Sequence, residues 1–483
     1  MNYAIAFRIL GIILSIESVF MLPPLIMSII LHDGATNAFL ITIIIMLINS
    51  AVMIKAMPKE REKVSPKDGL LIVSMAWIIV SIFGAVPLYI SKSVPTYIDS
   101  LFEIVSGFTT TGATVIPDIE DVPKSIVLWR SMTHWIGGMG ILVFTLSLLP
   151  KLGVGGFQIF KAESPGPVAG KIEPKVSQTA KRLYVIYMVI TVILFALLLI
   201  GGMSPFDAVV HTLGTVGTGG FSSRVASVGE FGGYYVPVVM TIFMIICGTN
   251  FTMHYYFYKG KFKEIIHDEE FKAYYVILIL SIIIITVDLY FSGYGKLSKT
   301  VVDSSFQVSS IMSTSGFTNA NYDLWPTLSK YILLILMFIG SCAGSTAGGM
   351  KVIRIVVVFK MIKREIEKVI HPKAVVPIKI NNKIVNEEVV LGISSYLSVY
   401  ILIFVIASGI VASSGVDLIT SISSVVTMLS NVGPGFSAVG PTETFAFFAP
   451  GYKLLFCALM LLGRLEFFTL LALITPRRIR ERI

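Results

Sequence analysis

Charge is scarce in this chain: only 14% of its 483 residues are Asp, Glu, Lys or Arg, and the mean hydropathy is +0.83. A soluble domain needs more charge than that to cover its surface. Cysteine is scarcer still, at 3 residues. Cys247, Cys342 and Cys457 stand far apart in sequence inside apolar stretches, so neither a disulfide framework nor a cysteine metal site is indicated. The 6 histidines are scattered without ligand spacing. No nucleophile–base pair, metal cluster or nucleotide-binding fingerprint is present, and an enzyme is not expected.

What the chain does have is long apolar runs. Residues 70–90, 183–200, 274–287, 331–339 and 399–411 carry almost no charge. A bilayer core about 30 Å thick needs about 20 apolar helical residues, and several runs approach that length. The first, residues 9–31, is longer than a signal-peptide core and no small-residue cleavage site follows it. A second run at 38–53 follows closely, so the pair reads as a retained helical hairpin. The net charge of +9 is not spread evenly. Lys and Arg concentrate at 55–67, 151–182, 259–272, 351–383 and 477–482, while loops such as 32–37 and 117–124 hold almost none. That alternation is the positive-inside signature, and it puts both termini in the cytoplasm.

An internal repeat sets the architecture. Four glycine-bearing loops read TTTGAT (109–114), GTVGTGGFS (214–222), SIMSTSGFTN (310–319) and MLSNVGPGFS (428–437). Aligned on Gly112, Gly220, Gly316 and Gly433, they recur at steps of 108, 96 and 117 residues. An Asp precedes the glycine of each loop: Asp99, Asp207 and Asp303 by 13 residues, Asp417 by 16. Asp favours a helix N-terminus, and about a dozen residues are too few to span a bilayer. Each loop is therefore expected to follow a re-entrant half-helix, because irregular backbone at membrane depth must be buried in protein or line water. The expected fold is an all-α polytopic membrane protein of four M1–pore helix–filter loop–M2 repeats behind an N-terminal hairpin. It would have about ten transmembrane helices and four pore helices, divided into a hairpin at 1–62 and repeats at 63–155, 156–262, 263–375 and 376–483.

A dehydrated cation needs oxygens in place of its hydration shell, and rings of backbone carbonyls supply them. Glycine lets consecutive carbonyls face one axis at little steric cost. The candidate filter is Thr110–Thr111–Gly112, Thr218–Gly219–Gly220, Thr314–Ser315–Gly316 and Asn431–Val432–Gly433. The two residues before each glycine are the candidate ion ligands. In the second loop either Gly219 or Gly220 fits; Gly220 is preferred because Phe221 then matches Phe317. Two further features suggest a gate. The stretch GSCAGSTAGGMK, with Gly340, Gly344, Gly348, Gly349 and Lys351, interrupts an apolar run, either as close helix packing through small residues or as an unwound intramembrane loop. Arg464 stands inside the apolar run 454–475, expected as one helix. Arg477 marks its end about 20 Å away, too far to snorkel, so Arg464 faces the pore or pairs with a polar gate residue. Glu466 reads as a partner for another helix, His134 and Trp135 as packing and anchoring residues, and the basic run 351–373 as a solvated extension or docking surface.

With the four loops, HWIGGMGI (134–141), NVGPG (431–435) and GRLEFFTLL (463–471), the whole chain resembles the Trk/Ktr/HKT superfamily of potassium transporters, most closely its TrkH-type membrane subunits. The resemblance implies a homodimer with one pore per protomer and a cytosolic ring of TrkA-like nucleotide-binding subunits. It implies K+ as the transported ion, with no organic cofactor, in the cell inner membrane. It also implies that Gly112, where sodium-permeable relatives carry serine, favours potassium, that the glycine-rich loop gates the pore, and that Arg464 lies just below the filter. An alternating-access symporter driven by H+ or Na+ is the other reading, though such folds carry two repeats rather than four.

Overall fold

The computed structural model describes residues 3–55, 66–140 and 176–474. The basic cluster expected at 477–482, and most of those at 55–67 and 151–182, lie outside the described residues. An N-terminal hairpin comprises α1 (Tyr3–Phe20), α2 (Leu22–Leu31) and α3 (Thr36–Lys55). Pro23 and Pro24 sit in the first turn of α2, where proline costs no hydrogen bond, so the first two helices run on as one span, Ala4–Leu31. The hairpin packs on the first repeat, and its loop supplies Asp33, which accepts the Ser125 N–H at 3.0 Å. That N–H opens a helix whose own N-cap, Pro123, offers no side-chain acceptor.

The rest follows a recurring plan. The first unit is α4 (Pro66–Ile90), α5 (Tyr97–Phe108) and α6 (Lys124–Gly138). The second is α7 (Val176–Ile200), α8 (Pro205–Gly217), α9 (Tyr235–Gly248) and α10 (Phe251–Tyr258), after which the short α11 (Phe262–His267) leads on. The third is α12 (Glu269–Phe291), α13 (Leu297–Met312), α14 (Thr327–Ile339) and α15 (Val352–Ile370). A two-stranded antiparallel ladder, β1 (Lys379–Ile380) with β2 (Lys383–Ile384), precedes the last unit. That unit is α16 (Glu387–Ala412), α17 (Leu418–Leu429), α18 (Pro450–Arg464) and α19 (Phe468–Ile474).

Six helices among the described residues are long and apolar enough to cross a membrane: α1–α2, α3, α4, α7, α12 and α16. The sequence predicts about ten because it counts each second apolar run of a unit as unbroken. Three of those runs are broken, and the continuation of the first beyond α6 lies outside the described residues. α9 and α10 meet at 97°, where Asn250 accepts the Thr252 N–H and starts a new helix. α14 stops at Gly340 (φ 71°) and α18 at Leu465, ahead of Glu466 (φ 53°). The expected single helix over 454–475 is therefore two pieces, and the 20 Å distance from Arg464 to Arg477 does not follow from it.

The short helices α5, α8, α13 and α17 number 12, 13, 16 and 12 residues. Their starts explain the irregular aspartate spacing. Thr96 and Ser204 are N-caps that accept the N–H of Asp99 and Asp207 three residues on. In the last unit the cap is Asp417 itself, and Thr420 takes the other place. The two roles are exchanged, which adds the three residues. Asp303 is a correction: α13 begins a turn and a half earlier, at Leu297, so this aspartate lies within the helix and bonds Asn319 and Tyr294.

Each short helix packs on the long helix of its own unit, and each also meets the preceding unit: α6 on α8, α9 on α13, α14 on α17, and α18 back on α5. The four contacts close a ring.

Candidate functional site

The four short helices end in the same way. In the first, Thr110 N–H donates to Gly107 O at 3.0 Å and Thr111 N–H to Ser106 O at 2.8 Å. The corresponding pairs recur from Thr218 and Gly219, from Thr314 and Ser315, and from Asn431 and Val432. This is a Schellman ending, which needs a left-handed residue. Thr110, Thr218, Thr314 and Asn431 take it, at φ 55°, 56°, 55° and 55°. For residues with a Cβ that conformation costs about 1–2 kcal/mol each, so four of them mark a strained, over-determined backbone. Two residues further, Gly112, Gly220, Gly316 and Gly433 are left-handed too, at φ 81°, 83°, 75° and 98°. The second-loop register is thereby settled: Gly220 is the equivalent glycine. Gly219 is glycine for another reason, since a Cβ there would overlap the His134 ring.

The loops touch in order around the ring. A Cβ on Gly112 would overlap Gly219 O, one on Gly220 would overlap Ser315 O, one on Gly316 Val432 O, and one on Gly433 Thr111 O. The eight candidate ligands, Thr110, Thr111, Thr218, Gly219, Thr314, Ser315, Asn431 and Val432, are all buried. Among the described residues no N–H or hydroxyl donates to any of their carbonyl oxygens. Buried backbone carbonyls are nearly always paired, so eight unpaired ones drawn from four abutting loops are a concentrated set of oxygen donors.

Side chains missed in the sequence hold the loops. His134 donates from Nδ1 to Gly107 O (2.8 Å) and accepts the Phe221 N–H at Nε2 (3.2 Å), so it backs the first two loops rather than serving only as packing. Glu103 and Arg130 form a fully buried ion pair. Glu103 also accepts Thr114 Oγ1–H and Val115 N–H, both at 3.0 Å, and the Arg130 guanidinium lies 3.5 Å from the centre of the Phe221 ring. Lys453 bonds Asp99 at 2.6 Å, joining α18 to α5. The available signal was ionisable residues inside apolar segments, which need partners. Removing one partner of a buried pair costs about 3–5 kcal/mol. Glu103→Ala is accordingly expected to lower the thermal midpoint in detergent markedly, read by intrinsic fluorescence; an unchanged midpoint would mean that Arg130 re-pairs.

The glycine-rich segment is irregular from Gly340 to Lys351, which disposes of the continuous-helix alternative. It lies against the loops: Gly348 N–H donates to Thr314 Oγ1 at 2.7 Å, and a Cβ on Gly348 would overlap Ser430 O. Gly340 and Gly349 stack closely, with a Cβ on Gly349 falling 2.7 Å from Gly340 Cα. Gly344 (φ 73°) abuts Asn250, and Lys351 (φ 72°) turns its ammonium back onto Ala347 O. Arg464 ties three units together. It donates to Thr346 O of this segment (2.8 Å), to Gly137 O and Gly138 O at the end of α6 (2.6 and 3.0 Å), and to Thr110 Oγ1 (3.3 Å). The last carbonyls of a helix lack intrahelical partners and carry its negative end, which a guanidinium satisfies. Glu466 bonds Arg354 at 2.6 Å, as a partner on another helix. Lys351 and Arg354 are buried, so the start of the basic run 351–373 is interior rather than solvated.

Long apolar helices together with a ring of short and broken ones, whose abutting loops hold carbonyls unpaired among the described residues, define a polytopic α-helical membrane transport protein. The chain belongs to the TrkH family of cation transport proteins, whose sequence model matches residues 35–477. It is 37% identical to the Trk system potassium uptake protein TrkH of Salmonella typhimurium over the full length of both. It is 33% identical to the potassium uptake protein TrkG of Escherichia coli K12, with 96% of each chain covered. The crystal structure of the potassium transporter TrkH from Vibrio parahaemolyticus superposes with a TM-score of 0.88 at 34% identity, covering 99% of each chain.

Proposed function

We propose that this chain is the membrane subunit of a potassium-uptake system, and that K+ passes along the axis of the four loops. The carrying observation is the set of eight buried carbonyls without donors, which can replace a hydration shell. The names of its relatives add the ion. Counting the second run of each unit as one span gives the expected ten, the first of these runs continuing outside the described residues, and the fourfold plan favours a pore over the two-repeat plan of alternating access. The positive-inside pattern of the sequence supports a reading with both termini on the cytoplasmic side of the cell membrane. A homodimer, and a cytosolic ring of nucleotide-binding subunits acting on the cytoplasmic face, complete the proposed system.

Reconstituted protein should carry K+ and Rb+ well ahead of Na+ in liposome flux. Equal K+ and Na+ fluxes would remove the filter reading. Unitary currents well above about 10³ ions per second would separate a pore from a carrier limited by μs–ms conformational cycles.

The segment 340–351 acts as the gate beneath the filter, with Arg464 holding it in place. Gly348→Ala with Gly349→Ala should change open probability several-fold, because each Cβ meets packed backbone, while the order of ion preference stays the same. Altered selectivity at unchanged open probability would put this segment in the filter instead.

A further inference from the structure

Glu270 is the second residue of α12, yet its carboxylate does not serve its own helix. Asp268 caps α12 by accepting the Phe271 N–H at 2.8 Å. The Glu270 side chain reaches instead to the glycine-rich segment. One oxygen, Oε1, accepts both the Ala343 N–H at 2.6 Å and the Ile353 N–H at 3.1 Å. Glu270 is 7% exposed and makes no salt bridge among the described residues. A buried carboxylate is costly unless hydrogen-bonded, and bonds to an ionised acceptor are the stronger kind.

The two donors stand ten residues apart in sequence. Ala343 lies near the entry to the irregular segment, and Ile353 lies in the first turn of α15. The N-cap of α15, Lys351, offers no side-chain acceptor, so Glu270 also supplies the anion that this helix start lacks. A cap alone would need only the Ile353 bond. The same oxygen holding Ala343 closes the segment into a loop.

We infer that Glu270 is a positioning residue of the gate: one buried carboxylate oxygen ties the two ends of segment 343–353 together and keeps it docked under the filter. The inference rests on the gate reading above. Opening the loop then requires these two bonds to part.

Cys342 provides the readout, because it adjoins Ala343 and is 1% exposed. In full-length protein with Cys247→Ser and Cys457→Ser, reconstituted in liposomes, Cys342 labelling by N-ethylmaleimide is followed beside Rb+ influx. Glu270→Ala is expected to speed labelling at least tenfold and to raise influx several-fold at an unchanged Rb+/Na+ ratio. Glu270→Gln keeps an oxygen acceptor and should stay within about threefold of the parent on both readouts. Ile353→Pro deletes one donor in a first helical turn, where proline is tolerated, and should follow the alanine variant; it replaces that variant if Glu270→Ala does not fold. Labelling at the parent rate in Glu270→Ala and Ile353→Pro overturns the inference, as does Glu270→Gln matching Glu270→Ala. Faster labelling with unchanged influx overturns the gate reading itself, and the inference with it. Gly348→Ala with Gly349→Ala, run in parallel, separates the cases: a changed influx there beside unchanged Glu270 variants leaves the gate and removes Glu270.

Discussion

Arg464→Ala is expected to raise K+ influx through the reconstituted protein by up to about 30-fold. The guanidinium bonds Thr110 Oγ1 in the first loop and Thr346 O in the glycine-rich segment, so its charge sits at the proposed ion path. At an effective dielectric near 20 and a separation of about 8 Å, one positive charge repels a passing cation by roughly 2 kcal/mol. Water and the four oxygens around the group reduce that figure. The same substitution frees the loop from Gly137 O and Gly138 O, which adds to opening. Arg464→Lys separates the two effects. An ammonium keeps the charge, but it is a compact donor without the planar fork that reaches three segments at once. Its influx should fall between the parent and the alanine variant. The K+/Na+ ratio should stay constant in all three, because the carbonyls of the proposed filter are untouched. Parent-level influx in Arg464→Ala would mean that the charge is remote from the path.

Gly112→Ser should lower the K+/Na+ flux ratio by about tenfold or more. Gly112 has φ 81°, where a side chain is strained by about 1–2 kcal/mol. Its Cβ would also overlap Gly219 O. That carbonyl, one of the eight, must swing away or the first loop must retreat. Either change would loosen the proposed oxygen cage, which would distinguish a larger from a smaller dehydrated ion, and a tenfold loss corresponds to about 1.4 kcal/mol in relative ion stabilisation. Because the contacts run around the ring, Gly316→Ser should act similarly through Val432 O. Flux measured in K+, Na+ and Li+ decides the matter; parent ratios in both variants would remove these glycines from the selectivity machinery.

The sequence by itself determined the membrane class, the four loops and the residues within them. Those features are written as local patterns: runs of apolar residues at bilayer length, glycine 13 or 16 residues after an aspartate, and one arginine in an apolar run. Each follows from what a few neighbouring residues can do in lipid. Only the tertiary structure decided which partners those residues meet. The register of the second loop turns on the left-handed φ of Gly220, while Gly219 is glycine because of the His134 ring packed against it. The break between α9 and α10 is capped by Asn250, and at the break after α18 the left-handed Glu466 pairs with Arg354. Asp303 lies within its helix because α13 starts early at Leu297, and Glu103, Arg130, Lys453 and Glu270 gain their roles from residues far away in the chain. A buried charge announces that it needs a partner, but packing across the ring alone selects which one, because the partners come from different helices and no local spacing encodes the meeting.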